Sequence, residues 1–114
     1  MAETVSVRLV GDGDPAPDVP ASILAHVRRT QKHVILDDAR EKTPFSADRY
    51  LRPNRARSVL CLPLVKQGEL VGILYLENSL ASHVFTPARI AVLKLLSSQI
   101  AISLENASLR RPRD

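Results

Sequence analysis

The sequence is poor in cysteine and in aromatic residues. Its 114 residues include one cysteine, no tryptophan, two tyrosines and two phenylalanines. A single cysteine cannot form an internal disulfide, which favours a reducing, cytoplasmic setting. Four aromatic residues are too few for the stacking platform of a single-stranded nucleic-acid binder. Because no apolar run approaches the roughly 20 residues of a membrane helix, and residues 1–3 lack a signal-peptide pattern, we expect no membrane partner.

The positive charge of the chain is dispersed. Sixteen basic and twelve acidic residues give a net charge of +4. The basic tail at 110–114 supplies half of that charge, and four further arginines lie in a segment expected at the surface: Arg49, Arg52, Arg55 and Arg57. Binding driven by phosphate contacts usually needs a larger continuous basic face. We therefore interpret these residues as solvated charge and expect no nucleic-acid partner.

The first half of the chain alternates short elements with turns. Val5, Val7 and Leu9 have the period of two of a half-buried strand, and a Gly- and Pro-rich stretch at 11–17 ends it. Helical spacing over 21–29 and a short apolar run over 34–36 predict a helix and a strand. Residues 39–57 are polar and basic, with a helical turn predicted near 47–51. Long loops of this kind often carry function.

The second half predicts a hairpin and a long helix. The runs 58–65 and 70–76 flank a Gln67-Gly68 turn, and both faces of the second run are apolar, as in a central strand. A helix is predicted over 87–109, with Thr86 as its N-cap, Pro87 in its first position and Phe85 packed on Ile90.

The long helix has two apolar stripes. Leu93, Leu96, Ile100 and Ala107 form one, which we expect to cover the sheet. The second stripe, which we expect to meet a partner helix in a homodimer, comprises Val92, Leu95, Ile102 and Leu109. The order of elements predicts an α+β fold with a mainly antiparallel sheet.

Several sequence motifs resemble those of a GAF domain. They are most similar to the motifs of GAF domains in bacterial multi-sensor histidine kinases and related kinase–ATPase signalling proteins. The resemblance covers about 5–109 and rests on residues 34–39, 57–64, 72–78, 85–86 and 98–107. It implies a PAS-related central antiparallel sheet. One face would carry the long C-terminal helix, which often dimerises, and the other would carry loops and short helices that can enclose a ligand.

The resemblance implies a non-catalytic sensory or regulatory module in two-component or kinase control, with an output kinase domain in a parent chain. The sequence itself has no kinase signature. Two alternatives remain open: a ligand-free dimerisation or interaction module, and an enzyme like methionine sulfoxide reductases. The enzyme is disfavoured because such chemistry needs paired or low-pKa cysteines.

The resemblance also implies that the first helix and the first strand of the family's domain are missing from this sequence. Complete members begin with a helix and a first strand, so we expect 1–109 to be a GAF-like sensory domain without them, followed by the basic tail 110–114. In the family arrangement the first strand separates the strands matching 5–10 and 70–76. Without it, 5–10 could pair directly with the hairpin, borrow a strand from another copy, or leave the domain marginally stable. We expect 5–10 to be loosely held or paired outside its family position.

Candidate ligand contacts lie in and beside the long loop. Asp37 and Asp38 follow a strand, where either could receive a ligand donor, pair with Arg40 or Arg57, or form a turn. The other tentative contacts are Phe45 and Tyr50, as walls of a pocket or anchors of the loop, and Arg57. We expect no cofactor. The three histidines lack the spacing of metal ligands. The sequence also lacks the cyclic-nucleotide signature of mammalian relatives. Cys61 is expected to be a buried, inert thiol.

Overall fold

The computed structural model describes residues 5–11, 18–51 and 56–110, with side chains in the last helix described through 104 and at 106. Every strand and long helix predicted from the sequence is present, within a few residues of its expected ends. The elements are β1 (Val5–Gly11), α1 (Ala21–Thr30), β2 (Val34–Leu36), β3 (Ser58–Lys66), β4 (Glu69–Asn78) and α2 (Pro87–Arg110).

The four strands form one antiparallel sheet in the order β1-β4-β3-β2. The central position predicted for β4 is confirmed. Leu62 lies opposite Leu74 in the hairpin, and Val34 of β2 lies opposite Cys61. Gln67 and Gly68 both have positive φ, 51° and 79°, as expected for a two-residue turn that matches the twist of the strands it joins.

The alternating apolar residues of β3 and β4 build a core on each face of the sheet. Val59, Cys61, Ile73 and Tyr75 point towards α1 and the long loop, where they join Ile23, Leu24 and Val27. The other face carries Leu60, Leu62, Leu64, Leu74 and Leu76, which pack with residues of α2 and its approach. The sheet therefore separates the loop side from the α2 side.

α2 begins as the sequence predicts. The backbone N–H of Arg89 donates to the Thr86 hydroxyl over 3.3 Å, and Phe85 is buried in the same cluster that Ile90 contacts. Leu93 and Ile100 pack on the sheet. Leu96, assigned to the same stripe, is instead 51% exposed, because the helical turns bury Ser97 and Ala101 in its place.

β1 departs from the half-buried strand that its sequence predicts. It pairs with β4 over its whole length, from Val5 opposite Asn78 to Gly11 opposite Gly72, which is the direct pairing named among the expected responses. Its apolar residues Val7 and Leu9 are 51% and 52% exposed. They lie uncovered because α2 packs over β3 and β4.

The helical turn predicted near 47–51 is wrong. That segment consists of turns, because the Asp48 carboxylate accepts the backbone N–H of Tyr50 over 2.9 Å and so competes with helical hydrogen bonding. The same carboxylate accepts the backbone N–H of Ser22 at the start of α1 over 2.8 Å. Asp48 thus ties the long loop to α1. Arg52 and Arg55 lie outside the described residues.

Candidate ligand-binding site under the loop

A cavity of about 740 Å³ lies between the long loop and the adjoining strand ends. Cavities that hold small ligands typically have a volume of about 300–1,000 Å³. The residues that line it come from both ends of the loop and from the residue after β4: Ala39, Arg40, Glu41, Lys42, Ser46, Leu51, Ala56, Arg57 and Ser79. We call it the loop-side cavity.

Backbone hydrogen bonds hold both ends of the loop together. The Ala39 N–H donates to the Arg57 carbonyl over 2.6 Å, and the Arg57 N–H donates to the Asn78 carbonyl over 2.9 Å. The Asp37 carbonyl accepts the His83 N–H over 2.7 Å. The mouth of the loop is therefore fixed to β4 and to the segment that precedes α2.

Asp38 and Arg40 form an ion pair at the cavity edge. Arg40 Nη2 lies 2.7 Å from Asp38 Oδ2, and Nε lies 3.0 Å from Oδ1. The Arg40 backbone N–H also donates to Oδ1 over 3.0 Å, so the predicted turn and the predicted arginine pairing occur together. These hydrogen bonds, that of the side chain first, lower the pKa of Asp38 to about 2. Both oxygens of the Asp38 carboxylate therefore accept hydrogen bonds from Arg40.

Arg57 is the predicted ligand contact that lines the cavity. Its Nη1 donates to the Leu80 carbonyl over 2.9 Å. Its Nε is buried and has no hydrogen-bond partner among the described residues. An unmet buried donor costs about 1–3 kcal/mol, and more when it is charged, so an acceptor placed beside Nε would be stabilised.

The charge of the cavity wall is mainly positive. Arg40, Lys42 and Arg57 face one acidic lining residue, Glu41. Asp38 neutralises Arg40 from outside the wall. The remaining Lys42 and Arg57 outnumber Glu41, so the described part of the wall carries an excess of positive charge.

Phe45 and Tyr50, also predicted as ligand contacts, anchor the loop to the core. The Phe45 ring meets His26 edge-on with centroids 5.5 Å apart, and the Tyr50 ring meets Tyr75 in the same way at 6.2 Å. The Tyr50 hydroxyl donates a hydrogen bond to the buried Glu77 carboxylate. Burial, followed by this bond, raises the pKa of Tyr50. Neither side chain lines the loop-side cavity, while Asp37 contributes its backbone carbonyl to the loop mouth.

The segment 79–86, which leads from β4 to α2, is fixed by two buried polar residues that sequence reasoning passed over. Asn78 Oδ1 accepts the N–H groups of Leu80 and Ala81 over 2.8 and 2.9 Å. The Ser58 hydroxyl donates to the Ala81 carbonyl over 2.7 Å and accepts the Val84 N–H over 3.2 Å. The available sequence signal is the presence of polar residues at the ends of two otherwise apolar strands.

Cys61 is fully buried in β3, as predicted. Burial raises the pKa of its thiol to about 12. The described residues contain no group of three His, Cys, Asp or Glu side chains placed to hold a metal ion.

Two further grooves lie beside α2. One, of about 480 Å³, is almost wholly apolar and includes Val5, Leu76, Phe85 and Val92. The other, of about 630 Å³, includes Lys32, His33 and Lys94, and burial together with Lys94 lowers the pKa of His33.

The outer side of α2 is exposed. Val92, Leu95 and Ile102 are 56%, 72% and 40% exposed. The side chain of Leu109 lies outside the described residues. By length and composition, Pro87–Leu104 is a candidate membrane span within the described part of the chain. This is weak evidence, because the window contains Arg89 and Lys94 and one side of it packs on the sheet.

Comparisons with known proteins found a matching family model and two curated relatives. The family model described as "GAF domain" matches residues 3–104. The chain is 42% identical over 88 residues, or 77% of its length, to hybrid signal transduction histidine kinase G of Dictyostelium discoideum. It is 27% identical over 92 residues, or 80% of its length, to the peroxide stress-activated histidine kinase mak3 of Schizosaccharomyces pombe. The matched part spans 3% and 4% of these two relatives.

A solved structure shares the fold. The GAF domain region of a Geobacter sulfurreducens protein superposes with a TM-score of 0.68 at 15% identity, covering 89% of this chain and 80% of that one. At that identity the likeness concerns the fold alone. It agrees with the antiparallel sheet and the C-terminal helix described above.

Proposed function

This chain belongs to the GAF domain family, and from that membership we propose that it is a non-catalytic sensory or regulatory module of a cytoplasmic signalling protein under kinase control. The similarity to parts of two histidine kinases supports the connection to kinase signalling. In this proposal residues 1–109 form the module, an output kinase domain lies in a longer parent chain, and the tail 110–114, of which 111–114 lie outside the described residues, connects them.

The observation that carries the proposal is the hydrogen-bonded route between the loop-side cavity and α2. Arg57, in the cavity wall, donates to the Leu80 carbonyl. Leu80 belongs to the segment 79–86, which ends at the α2 N-cap, Thr86. A ligand that binds one arrangement of the loop better than another would shift the balance between them. The shift would reach α2 through this segment.

We propose that α2 delivers the response through a homodimer. Its outer side exposes Val92, Leu95 and Ile102, and apolar surface of that kind favours association with a second copy. Sedimentation velocity of the wild-type chain should show a dimer. The paired change Leu95→Glu and Ile102→Glu should shift it to monomer, because each buried carboxylate would lack a partner.

The matched control adds the same charge on the opposite side of the sheet. Ala21→Glu and Ala25→Glu alter exposed positions of α1 and should leave the dimer intact. A wild type that stays monomeric at high concentration would contradict transmission through an α2 dimer. A dimer equally weakened by both pairs would move the interface away from Leu95 and Ile102.

An enzymatic function is the alternative that the fold family brings with it. Reduction of methionine sulfoxide needs a reactive thiol, whereas Cys61 is the chain's single cysteine and is fully buried. Incubation with free methionine sulfoxide and a thiol reductant should give no turnover. Turnover that disappears in Cys61→Ala would refute the non-catalytic assignment.

A further inference from the structure

The loop-side cavity contains a cationic group with an unfilled hydrogen-bonding position. Arg57 lines the cavity, Nη1 is bound to the Leu80 carbonyl, and the buried Nε has no partner among the residues that the structure describes. Arg40, the other arginine in the described part of the wall, is already paired with Asp38. Among the described residues of the wall, Arg57 is therefore the guanidinium that makes no ion pair and that keeps an unused donor.

The surrounding charge selects the kind of acceptor. Lys42 lines the same cavity and makes no ion pair among the described residues, and Glu41 is the single acidic side chain in the described wall. A guanidinium matches the paired oxygens of carboxylates and phosphates, and these charge-assisted bonds are stronger than bonds to neutral acceptors. A cationic ligand would meet the repulsion of Lys42 and Arg57.

We propose that the loop-side cavity binds a small carboxylate or phosphate anion, with Arg57 as its main hydrogen-bond donor and Lys42 as a second source of positive charge. This inference rests on the proposed sensory function and names the chemical class of its ligand. The Nε donor is buried in this structure, so the guanidinium must turn towards the cavity for the anion to become the acceptor of Nε.

Binding at Arg57 also bears on the segment before α2. The same guanidinium would bind the anion through Nε and the Leu80 carbonyl through Nη1. Ser79, the neighbour of Leu80, lines the cavity as well. An anion that draws the guanidinium towards itself would change the length of the hydrogen bond from Nη1 to the Leu80 carbonyl. That change would displace the start of segment 79–86.

The test is an NMR titration of the ¹⁵N-labelled full chain. Inorganic phosphate and succinate are added separately, with sodium chloride holding the ionic strength constant. We expect one of the two anions to give saturable amide shifts at residues 39–42, 57 and 79–80. The anion that binds more tightly tells whether the natural ligand carries a phosphate or a carboxylate.

Two arginine variants that each remove one positive charge distinguish binding at a specific site from general electrostatic attraction. Arg57→Gln should weaken binding at least tenfold. Arg49→Gln removes the same charge from an exposed loop residue that does not line the cavity, and it should change affinity less than twofold. If Arg57→Gln fails to fold, Arg57→Lys keeps the charge without the paired donors and should still weaken binding several-fold.

Any one of four results would overturn the proposal. The first is equal weakening by Arg57→Gln and Arg49→Gln, and the second is amide shifts confined to the groove at Lys32 and Lys94. The third is no saturable shift with either anion, and the fourth is unchanged affinity in Arg57→Lys, which would show that Arg57 does not act as a paired donor. Such results would leave the α2 dimer and the absence of turnover standing, so failure of the ligand class is distinguishable from failure of the proposed function.

Discussion

The hydroxyl of Tyr50 donates a hydrogen bond to the carboxylate of Glu77, which joins the long loop to the end of β4 across 27 positions of sequence. Glu77 is 6% exposed, and a buried carboxylate is costly without hydrogen-bond donors. The Tyr50 ring packs against Tyr75 at the same place. This contact makes Tyr50 an anchor of the loop that encloses the cavity.

Tyr50→Phe should lower the free energy of unfolding by about 1–3 kcal/mol, because it removes the donor and keeps the ring packing. Urea denaturation measures the change. Glu77→Gln provides a double-mutant cycle: with the carboxylate gone, Tyr50→Phe should cost less than in the wild type. Equal costs in the two backgrounds would show that the hydroxyl and the carboxylate do not interact.

Cys61 should be inert towards thiol reagents in the folded protein. Its side chain is fully buried, and burial raises the pKa of the thiol to about 12, so the reactive thiolate is scarce near neutral pH. Labelling should proceed only as fast as the chain opens or unfolds. A suitable reference is Ala25→Cys in the Cys61→Ala background, which places a thiol on the exposed side of α1 and should be labelled at once. Comparable rates for both thiols would contradict the buried setting.

The protein should lose stability at alkaline pH. Cys61 has a reference pKa of 9.0 and a folded pKa of about 12, so above pH 9 the unfolded chain releases a proton that the folded chain retains. The stabilisation is complete below about pH 9 and is lost as the pH rises through the folded pKa, at up to about 1.4 kcal/mol per pH unit for one group. Burial raises the pKa of Tyr50 and Tyr75 as well, which adds to the loss above their reference value of 10.0.

Urea denaturation at a series of pH values, from about 7 to 10.5, measures this effect. Cys61→Val removes one titrating group with little change in volume, so its stability should fall less steeply than that of the wild type between about pH 9 and 10. Parallel curves for the two proteins would show that Cys61 does not contribute to the alkaline loss.

The sequence predicts the fold well where local patterns and burial agree. The apolar faces of β4 indicated its central place, and Thr86 and Pro87 indicated the start of α2. Prediction failed where partners distant in sequence decide the outcome. Leu96 fits the sheet-facing stripe by spacing, yet it is exposed because neighbouring turns of the helix meet the sheet. Val7 and Leu9 are apolar and alternate, but their exposure depends on how far α2 extends over the sheet.

The candidate site was predicted less completely, for the same physical reason. The charge of Arg57 and its place beside the loop indicate a ligand contact, and Arg57 lines the cavity. By sequence, Tyr50 and Phe45 fit either a pocket wall or an anchor of the loop. The role that each takes depends on Glu77 and His26, which are remote from them in sequence. Lys42 and Ser79 carry no motif of their own, so only the folded chain brings them to the cavity.

The pairing of β1 with β4 depends on the absence of a side chain at Gly72. A Cβ placed there would lie 2.9 Å from the Val10 carbonyl oxygen of β1, 3.2 Å from Leu104 Cδ1 and 3.3 Å from Leu64 Cδ1. The two leucine methyl groups can shift by small rotations. The Val10 carbonyl belongs to the backbone, so β1 itself would have to move.

Gly72→Ala should therefore destabilise the protein by roughly 1–3 kcal/mol, as overpacking of a filled site does, and should loosen β1 in particular. Native-state hydrogen exchange measures this directly, because the amides of Val5–Gly11 should lose protection more than those of β3. Gly68→Ala is the control. It strains a turn with φ of 79° but has open space around the added Cβ, so it should lower global stability without selective loss at β1. Equal protection of β1 in the two variants would mean that the close approach of Val10 to Gly72 does not hold the strand in place.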